Sequence, residues 1–328
     1  MNSPTEIKKF KGGSLSGTYL FEQNKKFFIR KKVSLVENRE FGFYRWLSQL
    51  KKLQSLGRLF PDLFPKILNI GTENNRTFYD MEFFESSING FEFLKQNPPK
   101  VEIDIFFQKL LSAMEKIHSI KITSYKGGLD LYIDQEVKRA VEFCEDDEQF
   151  KSFLKHKTII FNGQNTPPLI PNLEKFYALA QKCYTSPQEC LTHGNITLEN
   201  ILYIPNQQKI IFIDLYQENY IDTVYNEYSQ ILQSSNSYYE VYNSDSLVAE
   251  VKENSVQIKT QKFAGIDYFN QLFKNFLKKQ LSSEEYTLTK LYEVSQFTRM
   301  LPFKKTVAKD KMIFFYALAS NLFASINT

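Results

Sequence analysis

The stretch "LTHGNITLENILY", residues 191 to 203, together with "KIIFIDLY", residues 209 to 216, limits the possible folds more than any other part of the chain. A His-Gly pair is followed by a small polar residue, and Asn200 comes five positions after that residue. Two strand-like runs then flank a turn at "IPNQQK", and the second, β-branched run ends on Asp214. Asp214 comes fourteen positions after Asn200, the length of a short β-hairpin.

This spacing has the form of a phosphotransfer site. Phosphoryl transfer needs mainly positioning and charge neutralisation. A metal must be held by hard oxygen ligands, a lysine must contact the phosphates, and a further group must orient the attacking hydroxyl. In kinase-type sites the orienting Asp and a metal-binding Asn share one loop with four residues between them, the separation of Asn195 and Asn200. Asn200 and Asp214 are thus the expected ligands of Mg2+. Asn195 stands where the carboxylate is expected, and an amide is neutral and cannot act as a base.

Composition excludes several other classes. The chain has 328 residues, enough for two modest domains or one bilobal unit, with 42% hydrophobic and 24% charged residues. Aromatics reach 15%, which predicts an aromatic-rich core rather than a stacking platform for bases, because no basic stripe interleaves with them. A net charge of +4 with scattered basic residues gives no nucleic-acid patch. Cys144, Cys183 and Cys190 lack CxxC spacing, which argues against disulfides and zinc. The start has no apolar signal-like region and no run approaches 18 apolar residues, so a cytoplasmic protein without a membrane span is expected.

Along the chain, "GGSLSGTYLFEQ" and "KKFFIRKKVS" read as strands joined at "QNKK". Residues 37 to 56 read as an amphipathic helix, and residues 64 to 85 as two more strands around "TENNR". Helices are predicted over 103–120, 135–155, 172–185, 222–233, 262–280, 283–300 and 308–326, with a Pro-marked loop at "NGQNTPPLIPN". The expected fold is α+β and bilobal: residues 1–85 form a small antiparallel sheet lobe with one helix, and residues 86–328 a mostly helical lobe that carries the loop 191–216. Ligands favour the cleft between two such lobes.

"THGNITLENILY...IIFID" resembles the HGD-x-x-x-x-N...ID signature of the aminoglycoside phosphotransferase and choline kinase group, which has a protein-kinase-like fold. His193, Gly194, Asn200 and Asp214 match the signature and Asn195 departs from it. Downstream, "DTVYNEYSQILQSSNSYYE" resembles the segment that follows in this group, with Asn226 where a second Asp is usual. Its ending is similar to the branch associated with capsule and sugar-nucleotide biosynthesis. The resemblance implies ATP, or another nucleoside triphosphate, with Mg2+ as cofactors and a small-molecule hydroxyl acceptor such as a sugar. It implies a bracing role for His193 and no proton transfer by it.

The resemblance also assigns pieces of the N-terminal part. Ser14, Ser16 and Gly17 fall in the loop that would cover the phosphates. Lys31 would be the phosphate-contacting base, chosen over Arg30 and Lys32 because it shares a face with Ile29 by the period of two. Glu40, or alternatively Glu37, would be its helix partner. Glu82 and Phe83 would offer backbone groups to adenine.

Three readings of the whole follow. One is an ATP-dependent small-molecule kinase whose general base is replaced by Asn195, with Glu199 and Asp222 as nearby acids. A second is a nucleotide-binding pseudokinase or scaffold of the same fold. A third is a helical interaction module without nucleotide. His118 is expected in a core or surface role. Tyr216, Tyr220 and Tyr225 line the acceptor site or pack. Segment 240–262 is an acceptor-side hairpin or a lid, and Arg299, Lys304 and Lys305 form either an anion site or a solvated helix end.

Overall fold

Two pairs of left-handed residues, Asn24–Lys25 and Asn74–Asn75, shape the N-terminal sheet. Their positive φ angles match the two-residue turns that suit the right-handed twist of a hairpin. The computed structural model describes residues 3–10, 16–37, 39–123, 127–185, 187, 189–216, 219–244, 249–259, 261–305 and 308–326, the side chains of residues 39 to 41 excepted. Strands β1 (Thr5–Phe10), β2 (Gly17–Gln23) and β3 (Lys26–Ser34) precede helix α1 (Arg39–Leu59), and β4 (Ile67–Glu73) and β5 (Arg76–Glu82) follow it. All pairings are antiparallel, in the order β1-β2-β3-β5-β4. Helix α1 packs on β3 through Trp46, whose indole N–H donates to the Lys31 carbonyl at 3.2 Å.

The chain then enters the larger lobe. A short strand β6 (Ile88–Asn89) leads into α2 (Gly90–Lys95), capped by the Asn89 side chain, and into α3 (Lys100–His118). Next come α4 (Gly128–Ile133), a π-helical turn at Asp134–Arg139, α5 (Ala140–Glu142) and α6 (Glu148–Leu154). The single helix expected over 135–155 is therefore broken, and Asp147 caps the second piece by accepting from the Phe150 N–H at 3.0 Å. The expected Pro-marked loop contains a hairpin, β7 (Ile159–Phe161) and β8 (Gln164–Thr166), turned at left-handed Asn162 and Gly163. Helix α7 (Leu173–Cys183) follows, then the hairpin β9 (Ile201–Ile204) and β10 (Lys209–Phe212), which joins β6 in a three-stranded sheet.

Helices α8 (Val224–Ser235) and α9 (Tyr239–Asn243) come next. Within the segment 240–262, strands β11 (Ala249–Lys252) and β12 (Ser255–Ile258) form a hairpin whose β12 pairs in parallel with β7. The chain closes with α10 (Ala264–Gln280), α11 (Ser283–Thr298), α12 (Leu301–Lys305) and α13 (Lys309–Ile326). Helix α11 lies between α8 and α13 and is buried over most of its length. The aromatic residues form the core expected of them: Tyr132, Phe150, Tyr292, Phe297, Phe314, Phe315 and Tyr316 are almost fully buried. The Tyr132 hydroxyl shares a hydrogen bond of 2.6 Å with Ser295. The architecture is thus the bilobal α+β fold that the sequence implied. No helix among the described residues is long and apolar enough to cross a membrane.

Candidate active site

The alternation of β3 separates its three basic residues. Arg30 and Lys32 lie on one face of the sheet. Arg30 forms a fork with Asp80 at 2.6 and 2.8 Å, and Lys32 pairs with Glu73 at 3.0 Å. Lys31 lies on the opposite face, buried, and reaches toward the larger lobe. Its ammonium donates to Asp214 and, at 3.0 Å, to Gln49 of α1. Burial pulls this ammonium down, but the Asp214 carboxylate outweighs it, so Lys31 titrates above an ordinary lysine. The same contact holds the Asp214 carboxyl below the usual carboxylate range. Asp214 itself remains open to the cleft, its side chain 46% exposed.

The β9–β10 register places the other partners. Ile201 pairs with Phe212, so Asn200 and Ile213 face each other just beyond the hairpin, and the Ile213 N–H donates to the Asn200 carbonyl at 3.0 Å. Asn200 Nδ2 donates to the Asn195 carbonyl at 2.8 Å, and Asn195 Nδ2 makes a long contact of 3.4 Å to the Asp214 carbonyl. Lys31, Asn195, Asn200 and Asp214 are thereby joined in one chain of contacts. With its amide nitrogen turned to Asn195, Asn200 keeps its side-chain oxygen for another partner.

His193 is fully buried and both ring nitrogens are engaged. Nε2 faces the Ile213 carbonyl at 2.8 Å and Nδ1 accepts from the Asn195 N–H at 3.1 Å. A carbonyl can only accept and an N–H can only donate, so the ring is the neutral Nε2–H tautomer. Burial pulls its pKa down to about 4, although Glu227 pulls the other way. His193 therefore braces the loop and is not placed to move a proton.

One helix holds the loop from below. Along α8, Glu227, Gln230 and Ser234 share a face by helical spacing. Their side-chain oxygens accept from the N–H groups of Gly194 at 2.6 Å, Ile196 at 2.8 Å and Leu198 at 3.0 Å. A helical turn of about 5.4 Å nearly matches two extended residues of about 6.6 Å, so successive turns meet alternate loop amides. Glu240 of α9 continues the series, accepting from the Glu199 N–H at 3.3 Å and from the Ser234 hydroxyl at 2.7 Å. Burial, and then the nearby Glu199 carboxylate, push the Glu240 carboxyl up to about 8, so it is neutral at pH 7. Gly194 has φ of +86°, and a Cβ there would lie 2.1 Å from the Tyr216 carbonyl. That close approach explains the glycine.

Glu227 carries a second bond, to His118 Nε2 at 2.9 Å. Burial raises the Glu227 carboxyl, but the His118 and His193 rings and the Gly194 N–H outweigh it and hold it below the usual range. His118 thus lies in the core as a partner of Glu227. Asn226 is buried, donating to the Ile221 carbonyl at 2.9 Å and accepting from Gln296 at 3.0 Å. The neighbouring Asp222 is buried and accepts from the Thr192 hydroxyl at 2.7 Å, which removes it from the candidate bases. Tyr225 packs toward Glu285, to whose carboxylate its hydroxyl donates.

The remaining assigned residues divide. Ser14 and the side chain of Glu40 lie outside the described residues. Glu37 is exposed in the turn before α1, and the α1 residue that meets Lys31 is Gln49. Ser16 precedes β2, and Gly17 pairs with Lys32 at its start. Glu82 ends β5, but its N–H is committed to the Lys66 carbonyl at 3.0 Å, so that group is not free for adenine. Phe83 packs edge-on against Phe27, with 6.3 Å between ring centroids.

No protein-family model and no curated protein matches the sequence. Solved structures do match in shape. A thermostable mutant of the aminoglycoside phosphotransferase APH(4)-Ia, in a ternary complex with AMP-PNP and hygromycin B, aligns with a TM-score of 0.61 at 12% identity. The alignment covers 99% of this chain and 95% of that one. In fold, this chain is similar to the aminoglycoside phosphotransferases, with the same bilobal, kinase-like arrangement. The GDP complex of the aminoglycoside 2'-phosphotransferase-IIIa aligns with a TM-score of 0.58 at 13% identity, over 98% of this chain and 92% of that one. A protein assigned as a fructosamine-3-kinase, from Haemophilus somnus, aligns at 0.54 and 12% identity, over 100% and 92% of the two chains.

Proposed function

We propose that this chain is a phosphotransferase that uses ATP, or another nucleoside triphosphate, with Mg2+ to phosphorylate a hydroxyl of a sugar or similar small metabolite in the cytoplasm. The observation that carries this reading is the contact between Lys31 and Asp214, 183 positions apart in the chain, beside the loop that holds Asn195 and Asn200. Similar folds have been solved with AMP-PNP, hygromycin B and GDP, which supports a nucleotide and a small acceptor as the ligand classes. In this reading residues 1–85 bind the nucleotide, and residues 86–328 hold the loop 191–216 and the acceptor.

The donor set fits Mg2+. Asp214 is an exposed carboxylate and Asn200 presents an amide oxygen, both hard donors. Bound there, the ion would offset charge on the phosphoryl oxygens. Lys31 stays charged and would exchange its contact with Asp214 for one with phosphate. Ser16 and Gly17 would lie along the phosphates, and the linker near Phe83 beside the base. Asn195 would accept a hydrogen bond from the acceptor hydroxyl through Oδ1 and hold it in line, without taking its proton. Neutral, enclosed His193 offers no replacement base.

Turnover of Asn195→Asp tests this. General-base catalysis contributes on the order of 10²–10⁴ in rate, so kcat should rise by a factor of that size with Mg·ATP affinity unchanged. Nucleotide binding without turnover in either form would favour the second reading, a nucleotide-binding scaffold. The neutral amides at 195 and 226 are the observation behind that alternative.

A further inference from the structure

Beside Asn195, two guanidinium groups meet one aromatic ring. Arg45 of α1 lies 5.0 Å from the centroid of Tyr216, and Arg299, just past α11, lies 5.4 Å from it. Tyr216 is fixed next to the loop: its N–H donates to the His193 carbonyl at 3.1 Å, and its carbonyl accepts from Lys52. The two arginines come from different lobes, so the stack stands at the cleft.

The charges around it are unbalanced. Arg299 has a partner, Glu136, but at 3.7 Å, and it donates to Gln296 at 3.1 Å. Arg45 stacks on the rings of Tyr216 and Phe303, lies close enough to Asp214 to feel its charge, and forms no ion pair among the described residues. Of the acids nearby, Asp214 is held by Lys31 and Glu199 is exposed, whereas Glu240 is buried with one oxygen, Oε2, lacking any partner among the described residues. The carboxylate that would repel an anion at position 195 is an amide. A guanidinium stacked on an aromatic ring and without a close ion pair presents its donors in the planar fork that suits carboxylate or phosphate.

We infer that the acceptor is an anion, a phosphorylated or carboxylated sugar-like metabolite, whose anionic group is held by Arg45 and Arg299 across Tyr216. This rests on the phosphotransferase reading and sets its substrate class. Lys304 and Lys305 do not share this role: Lys304 donates to the Asn243 side chain and Lys305 pairs with Asp146 at 2.5 Å.

Calorimetry on the full chain tests the inference. Mg·AMP-PNP is titrated first, and inorganic phosphate, glucose 6-phosphate, glucuronate and glucose are then titrated into the nucleotide-saturated protein. The expected result is saturable binding of the anionic probes and none of glucose, weakened at least tenfold in both Arg45→Gln and Arg299→Gln. Arg45→Lys, which keeps the charge without the fork, should fall between. Tighter binding of glucose 6-phosphate than of phosphate would place the sugar in the site with its anionic group; equal binding would reduce the site to one for free phosphate and overturn the substrate class. Absent anion binding, or binding indifferent to both substitutions while Mg·AMP-PNP still binds, would overturn the inference and leave the phosphotransferase reading standing. Failure of Mg·AMP-PNP itself to bind would remove both.

Discussion

Replacing Glu227 with alanine should unfold the support of the whole loop. The carboxylate is 1% exposed and accepts from the Gly194 N–H at 2.6 Å and from His118 at 2.9 Å. Each hydrogen bond to a charged group contributes about 1.5–3 kcal/mol. Losing both and leaving two buried donors should cost about 3–5 kcal/mol, the range seen when one partner of a buried pair is removed. With an unfolding entropy of roughly 2.1 cal/mol/K per residue, 328 residues give about 0.7 kcal/mol per degree, so Tm should fall by about 4–7 °C. Glu227→Gln preserves the shape. One oxygen still accepts from Gly194, and the amide can donate to His118 once that ring changes tautomer. It should cost only about 1–2 kcal/mol. Thermal unfolding at pH 7 reads both variants, and amide exchange at Gly194 and Ile196 shows whether the loss is local. An alanine variant within 1 °C of the parent protein would refute the view that α8 holds the loop.

Two more predictions follow from the same network. His193 has a folded-state pKa near 4 against an ordinary 6.5, so its neutral form stabilises the fold fully above pH 6.5 and is lost as pH falls toward 4. About 3 kcal/mol should disappear over that window, and His193→Gln should flatten the urea-unfolding profile there. Asn226→Asp would set a carboxylate against the Ile221 carbonyl and should cost roughly 2–3 kcal/mol at pH 7. Relative to the parent protein at the same pH, that loss should shrink at pH 4, where a protonated carboxyl can donate.

What could be read in the sequence was mostly what is local. Asn200 and Asp214 flank one hairpin, so counting residues suffices to pair them. Lys31 differs from Arg30 and Lys32 by strand alternation, again a local property. The Glu227, Gln230 and Ser234 series was missed because its partners lie 33 to 36 positions away and a polar helix face ordinarily reads as solvated. The signal available was a helix with polar residues at three- and four-residue steps and no basic residue. Gln49 was missed because Lys31 finds it through the packing of α1 on β3. The β7–β8 hairpin did carry a signal, Asn162–Gly163, but the prolines that follow outweighed it.

The central claim is that Lys31, Asn200 and Asp214 form a site for a magnesium nucleotide. It is tested most directly by calorimetric titration of Mg·AMP-PNP into the parent protein and into Asp214→Ala. The account predicts one saturable, magnesium-dependent binding event, weakened at least tenfold in Asp214→Ala and equally strong in Asn195→Asp. No binding to the parent protein, or binding indifferent to both magnesium and Asp214, would contradict it.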